Sequence, residues 1–159
     1  MSTRIERFTP SVCHRRATVE VMSLSLSELA DRAAISDQLT AYATAVDSGR
    51  FDELSGVFTP DALVDYSATG GIAGTPAECV AWLGTVLPSF TAYCHFLGNT
   101  EFHLADGTAT TRTLCLNPMQ AGDSAFLLAI YYNDDWLRTD EGWRITRRVL
   151  ETKLNQTLG

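Results

Sequence analysis

Two residues of this chain are candidates for acid–base chemistry. Asp47 follows an apolar run that ends at Val46, and His95 begins a segment of alternating apolar residues. A carboxylate that accepts a hydrogen bond from one histidine nitrogen fixes the tautomer and leaves the other nitrogen free to take a proton. Such a pair suits removal of a proton next to a carbonyl or a leaving group. The alternatives are that Asp47 belongs to an Asp-Ser-Gly-Arg surface turn and that His95 is structural.

Aromatic residues supply further candidates. Tyr66 would offer a phenol hydrogen bond to a substrate oxygen, and Tyr42 either does the same or packs in the core. Alternation leaves open which of Tyr131 and Tyr132 faces inward, because neighbours on a strand point to opposite faces. We keep Tyr132 as a candidate for substrate binding, together with Trp82, which would add wall area.

Composition argues against several other kinds of protein. The cysteines lie far apart, at Cys13, Cys79, Cys94 and Cys115. They show no metal-ligand spacing, so we expect neither a metal site nor a disulfide framework. The net charge of −7 makes nucleic acid and anionic membranes unsuitable partners. The longest apolar stretches are too short to span a bilayer, and we expect a cytoplasmic protein that acts on small molecules.

The first half of the chain reads as helical. Apolar residues recur every three or four positions from Leu29 to Val46 and predict a long amphipathic helix. Ser27 and Glu28 form its expected start, and Gly49 its end. A carboxylate at a helix C-terminus is unfavourable by dipole reasoning, so Asp47 requires a partner. A short helix over 51–58, a strand over 62–66 and a third helix over 76–87 are predicted next.

The second half changes to a period of two. Four long strands are predicted, over 92–104, 108–116, 125–137 and 143–154. Asp106-Gly107 predicts a hairpin, and Arg147-Arg148 is interpreted as a solvated strand edge. Helices followed by a meander indicate an α+β fold. We expect a cone-shaped, curved antiparallel sheet wrapped around the long N-terminal helix and two shorter helices, with an internal pocket.

Residues 1–24 differ from the rest in carrying a cluster of arginines. No apolar run follows them, so they do not resemble a secretory signal. We expect either a disordered leader or an upstream start codon that is not the natural one, followed by one α+β domain over residues 25–155.

Three stretches resemble a known family. The segments "AVDSGRFDELSGVFTPDALVDY", "CHFLGNTEF" and "YYNDDWLRTDEGWRITRR" are similar to the nuclear transport factor 2-like superfamily, in its SnoaL-like branch. That branch also holds scytalone dehydratase and hexachlorocyclohexane dehydrochlorinase. The resemblance covers residues 25–155. It implies the fold more strongly than the function, since this scaffold hosts dehydratases, isomerases, cyclases and non-catalytic binders.

Carried over by position, the resemblance implies a catalytic aspartate at Asp47, a catalytic histidine at His95 and a working tyrosine at Tyr66. Two departures are equally specific. Val46 replaces a second tyrosine of scytalone dehydratase, and Met119 stands where its second histidine falls, which argues against scytalone as the substrate.

The sequence therefore predicts a cofactor-independent lyase, isomerase or cyclase that uses an Asp–His dyad on a small, apolar, oxygenated substrate such as a polyketide. The reaction would be a dehydration, a double-bond shift or a ring closure. The alternative is a non-catalytic ligand-binding or assembly domain on the same fold. The open sheet face predicts a homodimer or a homotrimer.

Overall fold

The structure is a computed structural model, and it describes residues 23–158. The predicted leader, up to residue 22, and Cys13 within it lie outside the described residues. The two-part domain division stays a prediction.

The first long element is helix α1, Leu26–Asp47. Its start is a capping box in which the Ser25 hydroxyl accepts from the Glu28 N–H (3.2 Å) and the Glu28 carboxylate accepts from the Ser25 N–H (2.7 Å). The prediction of Ser27 as the cap was therefore wrong by two residues. The helix ends where expected, because Gly49 takes the left-handed conformation (φ 66°) that other residues avoid.

A second helix, α2, spans Pro76–Val86. Its N-cap is Thr75, which forms the same kind of capping box with Glu78, and Pro76 occupies the first turn where no N–H is needed. Between the two helices, Phe51–Gly56 forms a 3₁₀ helix, and Ser67–Thr69 forms a shorter one. The three predicted helical segments are thus present, the second in the tighter 3₁₀ form.

Residues 23–158 contain seven strands, two more than the five predicted, which were one before residue 88 and four after it. Their bounds are β1 Phe58–Asp65, β2 Ala73–Gly74, β3 Ala92–Tyr93, β4 Phe96–Ala105, β5 Thr108–Ala121, β6 Ser124–Thr139 and β7 Gly142–Leu158. The expected first long strand is split into β3 and β4 at Cys94-His95. The last three strands are each longer than predicted.

These strands form one curved sheet in the order β2-β1-β7-β6-β5-β3, with β4 also paired to β5. Strands β4 to β7 make the antiparallel meander that the turns predicted. The pair β1–β7 is parallel, so the sheet is mixed. The predicted α+β architecture, a sheet curved around a long helix, is confirmed.

Irregularities in the ladder change which side chains face inward. The register shifts between Leu97 and Thr100 in β4, and opposite Asp135 and Trp136 in β6. Each bulge places an extra residue on one strand and reverses the alternation beyond it. On β7 the buried positions consequently run Trp143, Ile145, Arg148 and Leu150, with a step of three in the middle.

The core lies between α1 and the concave face of the sheet. The buried face of α1 carries Ile35, Leu39, Tyr42 and Val46 at helical spacing. Burial of these residues fixes the axis of α1 against the sheet, so the last turn and Asp47 are held in a defined place.

Candidate active site

The structure brings Asp47 and His95 together. The His95 ring donates from Nδ1 to one Asp47 carboxylate oxygen (2.6 Å), and the His95 backbone N–H donates to the other (3.0 Å). The carboxylate accepts both bonds, so the ring tautomer with a proton on Nδ1 is the one held. Ring Nε2 is then the nitrogen without the proton. The side chain of His95 is 11% exposed and that of Asp47 26%.

His95 lies in the two-residue gap between β3 and β4, both of which pair with β5. The gap frees the His95 N–H from the ladder, and this is the N–H that Asp47 uses. The acidic residue at the end of α1 thereby receives two donors where the helix itself offers no basic residue in its last turn.

Two buried phenols lie near the dyad. The hydroxyl groups of Tyr42 and Tyr66 are 2.8 Å apart, and the Tyr42 ring meets the His95 ring edge to face with centroids 6.2 Å apart. In such a pair one hydroxyl donates to the other, and the second O–H is left for another acceptor. Burial raises the pKa of Tyr42 and raises that of Tyr66 well above its ordinary value, so both phenols stay protonated and able to donate.

A buried ion pair lies behind the phenols. Arg148 donates from Nε and Nη2 to the two carboxylate oxygens of Asp134, at 2.7 Å each, and both side chains are fully buried. The guanidinium lies over the rings of Tyr42 (4.2 Å) and Tyr132 (4.3 Å). Burial opposes the charge of Arg148, but the Asp134 carboxylate outweighs it and raises the pKa of the guanidinium.

The interpretation of Arg147-Arg148 as a solvated edge was therefore wrong for Arg148, which is buried; Arg147 is half-exposed as expected, although β7 lies between β1 and β6 and is not an edge strand. The bulge on β7 is the physical reason, because it turns the second arginine rather than the first toward the core. A strict period of two gave no signal for this.

A cavity of about 230 Å³ opens beside the dyad and the phenols. Most of its wall is apolar, and its polar side chains are those of Tyr42, Tyr66, Thr69, Trp82, His95, Asn117, Tyr132 and Asn155. This volume falls just below the ~300–1,000 Å³ usual for drug-sized ligands. The cavity fits a small, mostly apolar molecule that carries a few oxygen atoms.

The remaining predicted binding residues are placed as follows. Trp82 and Tyr132 line the cavity, and Tyr132 is almost fully buried. Tyr131 faces the outer side of the sheet, where the Arg112 guanidinium lies 3.4 Å from its ring centre. Asp47 is not part of the wall and reaches the cavity only through His95.

Asn117 is a cavity residue that pattern reasoning missed. It stands on the inner face of β5 and is 5% exposed. An alternation signal was available, since Asn117 shares its face with Thr113 and Cys115, but the predicted strand ended at residue 116 and left it out.

Two further observations concern the described part of the chain. Within residues 23–158, no group of three or more histidine, cysteine or acidic side chains is close enough to hold a metal ion. Neither of the two α-helices there is long and apolar enough to cross a membrane.

A curved sheet wrapped around a long helix, with a mostly apolar cavity that a few polar side chains enter, is the architecture of the nuclear transport factor 2-like class. Solved structures agree. The chain superposes on a hexachlorocyclohexane dehydrochlorinase from Novosphingobium barchaimii with a TM-score of 0.75 and 20% identity, over 84% of this chain and 93% of that one. A candidate scytalone dehydratase from Novosphingobium aromaticivorans gives 0.72 and 22%, over 80% and 87%. At these identities the likeness shows the fold alone.

Within that class the chain belongs to the SnoaL-like family, whose domain matches residues 27–149. The predicted resemblance is confirmed. The uncharacterized protein Rv2910c of Mycobacterium tuberculosis is 45% identical over 145 residues, which cover 89% of this chain and 98% of that protein.

Proposed function

We propose that this protein is a small-molecule lyase, isomerase or cyclase in which His95 removes a proton from carbon. The observation that carries the proposal is the double hydrogen bond from His95 to Asp47, formed while the ring borders the cavity. Asp47 orients the ring and balances the positive charge that forms when Nε2 takes the proton. Among the described residues that line the cavity, His95 is the one histidine, and none is a carboxylate or a lysine.

In the proposed reaction, the Tyr42–Tyr66 pair donates a hydrogen bond to an oxygen of the substrate. That oxygen is either the carbonyl whose α-carbon loses the proton or a hydroxyl that departs. Loss of water, migration of a double bond and closure of an oxygen ring share this first proton transfer. The substrate is small, mostly apolar and oxygenated, as a polyketide fragment would be, and the reaction requires no cofactor or metal.

The proposal is tested without knowing the natural substrate by following deuterium uptake at the α-carbon of small cyclic ketones in D₂O by NMR. We expect His95→Gln to slow the uptake by roughly 10²–10⁴-fold, the usual contribution of a positioned general base. Asp47→Asn should slow it in the same direction, because the imidazolium loses its counter-charge. His103→Gln is the matched control, since His103 is exposed on β4.

Equal rates for the wild type and His95→Gln would remove His95 from the reaction. Ketone binding in the cavity with no exchange in any tested compound would favour the non-catalytic ligand-binding or assembly domain instead. The homodimer or homotrimer also stays a prediction, which the mass in solution measured by light scattering checks.

A further inference from the structure

The inner face of β5 carries an amide that the proposed mechanism does not use. Asn117 lies in the cavity wall, and only 5% of it is exposed. A buried amide that packs against an apolar wall costs free energy unless its donors and acceptor find partners. The hydrogen-bond partners of the Asn117 amide therefore indicate which kind of ligand group it can bind.

The register of the sheet places Asn117 directly beside His95. Tyr93 pairs with Met119 and Phe96 pairs with Leu116, so the two ladders share one continuous register across the gap. His95 consequently lies opposite Asn117, and the bond from the Cys94 N–H to the Pro118 carbonyl (3.3 Å) agrees with this alignment. Side chains directly opposite each other point to the same face, with Cβ atoms about 4.5–5.5 Å apart.

The orientation of the amide is set from behind. The Cys115 thiol donates to Asn117 Oδ1 (3.1 Å), and burial raises the pKa of that thiol to about 11, so it keeps its proton. The oxygen end of the amide is thus occupied. Within residues 23–158, Asn117 Nδ2 has no hydrogen-bond partner. It is also not one of the fully buried polar atoms that lack a partner, so it is accessible. The NH₂ group therefore faces the open space of the cavity.

We propose that the Asn117 NH₂ group binds a carbonyl oxygen of the substrate, next to the carbon from which His95 takes the proton. This deepens the proposed function and rests on it. Together with the Tyr42–Tyr66 hydroxyl pair, the cavity then has two separate oxygen-binding groups beside one base. The substrate class that matches is a carbonyl compound with a second oxygen function on the β-carbon.

The steps balance for such a substrate. His95 Nε2 takes the α-proton, and the C–H electrons move into the carbonyl to give an enolate whose oxygen Asn117 holds. The electrons return to form the C=C bond as the β-C–O bond breaks. The departing hydroxyl, held by the tyrosine pair, takes the proton from the His95 imidazolium and leaves as water.

The charges of the wall favour a neutral carbonyl over an anionic group. In the part of the chain that the structure describes, no lysine or arginine lines the cavity, and Arg148 lies behind the tyrosine rings with Asp134 as its partner. Neutral amide and phenol donors bind a ketone oxygen without leaving a buried negative charge uncompensated.

Three probes on one two-ring skeleton test the assignment: indane, indanone with one ketone, and β-hydroxyindanone. Dissociation constants are measured by calorimetry or ligand-observed NMR for the wild type, Asn117→Leu and Gln156→Leu. We expect Asn117→Leu to weaken the binding of indanone roughly three- to tenfold, the usual contribution of one neutral hydrogen bond. The binding of indane should stay unchanged or become tighter. Gln156→Leu removes an exposed amide from β7 and should change neither constant.

Binding of indane also reports that the variant cavity is intact, and Asn117→Ala, which likewise has no side-chain donor, takes the place of the leucine variant if that one does not fold. The assignment is overturned if the wild type does not prefer indanone to indane, or if Asn117→Leu keeps that preference.

Elimination of water from β-hydroxyindanone, followed by absorbance, separates this inference from the proposed function. If elimination requires His95 but the preference for indanone over indane does not require Asn117, only the carbonyl site is refuted. A ketone preference that depends on Asn117, with the same elimination rate in wild type and His95→Gln, refutes only the role of the base.

Discussion

The buried pair of Arg148 and Asp134 allows a quantitative prediction about stability. Both side chains are fully buried, and the two hydrogen bonds of 2.7 Å use both carboxylate oxygens. Asp134→Asn removes the negative charge and leaves a guanidinium without compensation in the core. Removal of one partner from a buried pair costs about 3–5 kcal/mol. Asparagine still offers one oxygen as an acceptor, so we expect a loss of free energy of unfolding near the lower figure.

That loss is large against the ~5–15 kcal/mol by which domains are stable. For a domain of this size, a change of 1 kcal/mol moves Tm by about 2–4 °C, so the variant should melt roughly 6–12 °C lower. Urea unfolding followed by far-UV circular dichroism gives the free energy, and a thermal scan gives Tm.

Two variants test the physical reason. The double variant Asp134→Leu with Arg148→Met removes both charges and should be within about 2 kcal/mol of wild type, or more stable, because replacing a whole buried pair avoids the unpaired charge. The neighbouring pair of Arg147 and Asp135 is 3.7 Å apart and half-exposed on both sides. Asp135→Asn should therefore cost at most about 1 kcal/mol.

A typical point variant loses about 1 kcal/mol of its free energy of unfolding. The electrostatic explanation fails if Asp134→Asn loses no more than this ~1 kcal/mol relative to wild type. It also fails if the double variant is as unstable as the single one, since lost packing rather than an unpaired charge would then be the cause.

Further predictions concern other parts of the fold. Thr75→Ala removes the N-cap of α2 and should lower the free energy of unfolding by about 1 kcal/mol, measured by urea titration, whereas Thr75→Ser should not. Gly71→Ala should cost about 1–3 kcal/mol in the same assay, because its new Cβ would lie 2.8 Å from the Cβ of Tyr66; an unchanged stability would mean that the cavity wall yields freely. At pH 8, iodoacetamide should label exposed Cys94 and spare Cys115, whose pKa burial raises to about 11, and peptide mapping by mass spectrometry shows a contradiction if both react alike.

Local elements were predictable because their signals are local. The spacing of apolar residues fixed α1 to within one residue at its end, and Gly49 stopped it for a steric reason that needs no tertiary contact. Turn residues gave the β4–β5 hairpin at Asp106-Gly107 in the same way. The error at the start of α1 had a local cause too, since Ser25 and Ser27 both precede a helical run and only the former is three residues before Glu28.

Side-chain facing on the strands was predictable only up to the first bulge. His95 and His103 share one face by simple counting, but the register shift after Leu97 leaves His103 on the exposed side. The same effect placed Arg148 in the core. A bulge is one extra residue without a composition signature here, and it reverses every later position on its strand.

The meeting of Asp47 with His95 depends on contacts that no local pattern contains. What the sequence did contain was an inconsistency, because a carboxylate at a helix C-terminus without a nearby base is electrostatically unfavourable. In the structure the ring N–H and the backbone N–H of His95 resolve it. A position that is costly for its own helix and satisfied only by a residue far along the chain is typical of residues that carry chemistry, since local preferences and fold otherwise agree. Which residue supplies the partner follows from the packing of α1 across the sheet, and that packing is a property of the whole domain.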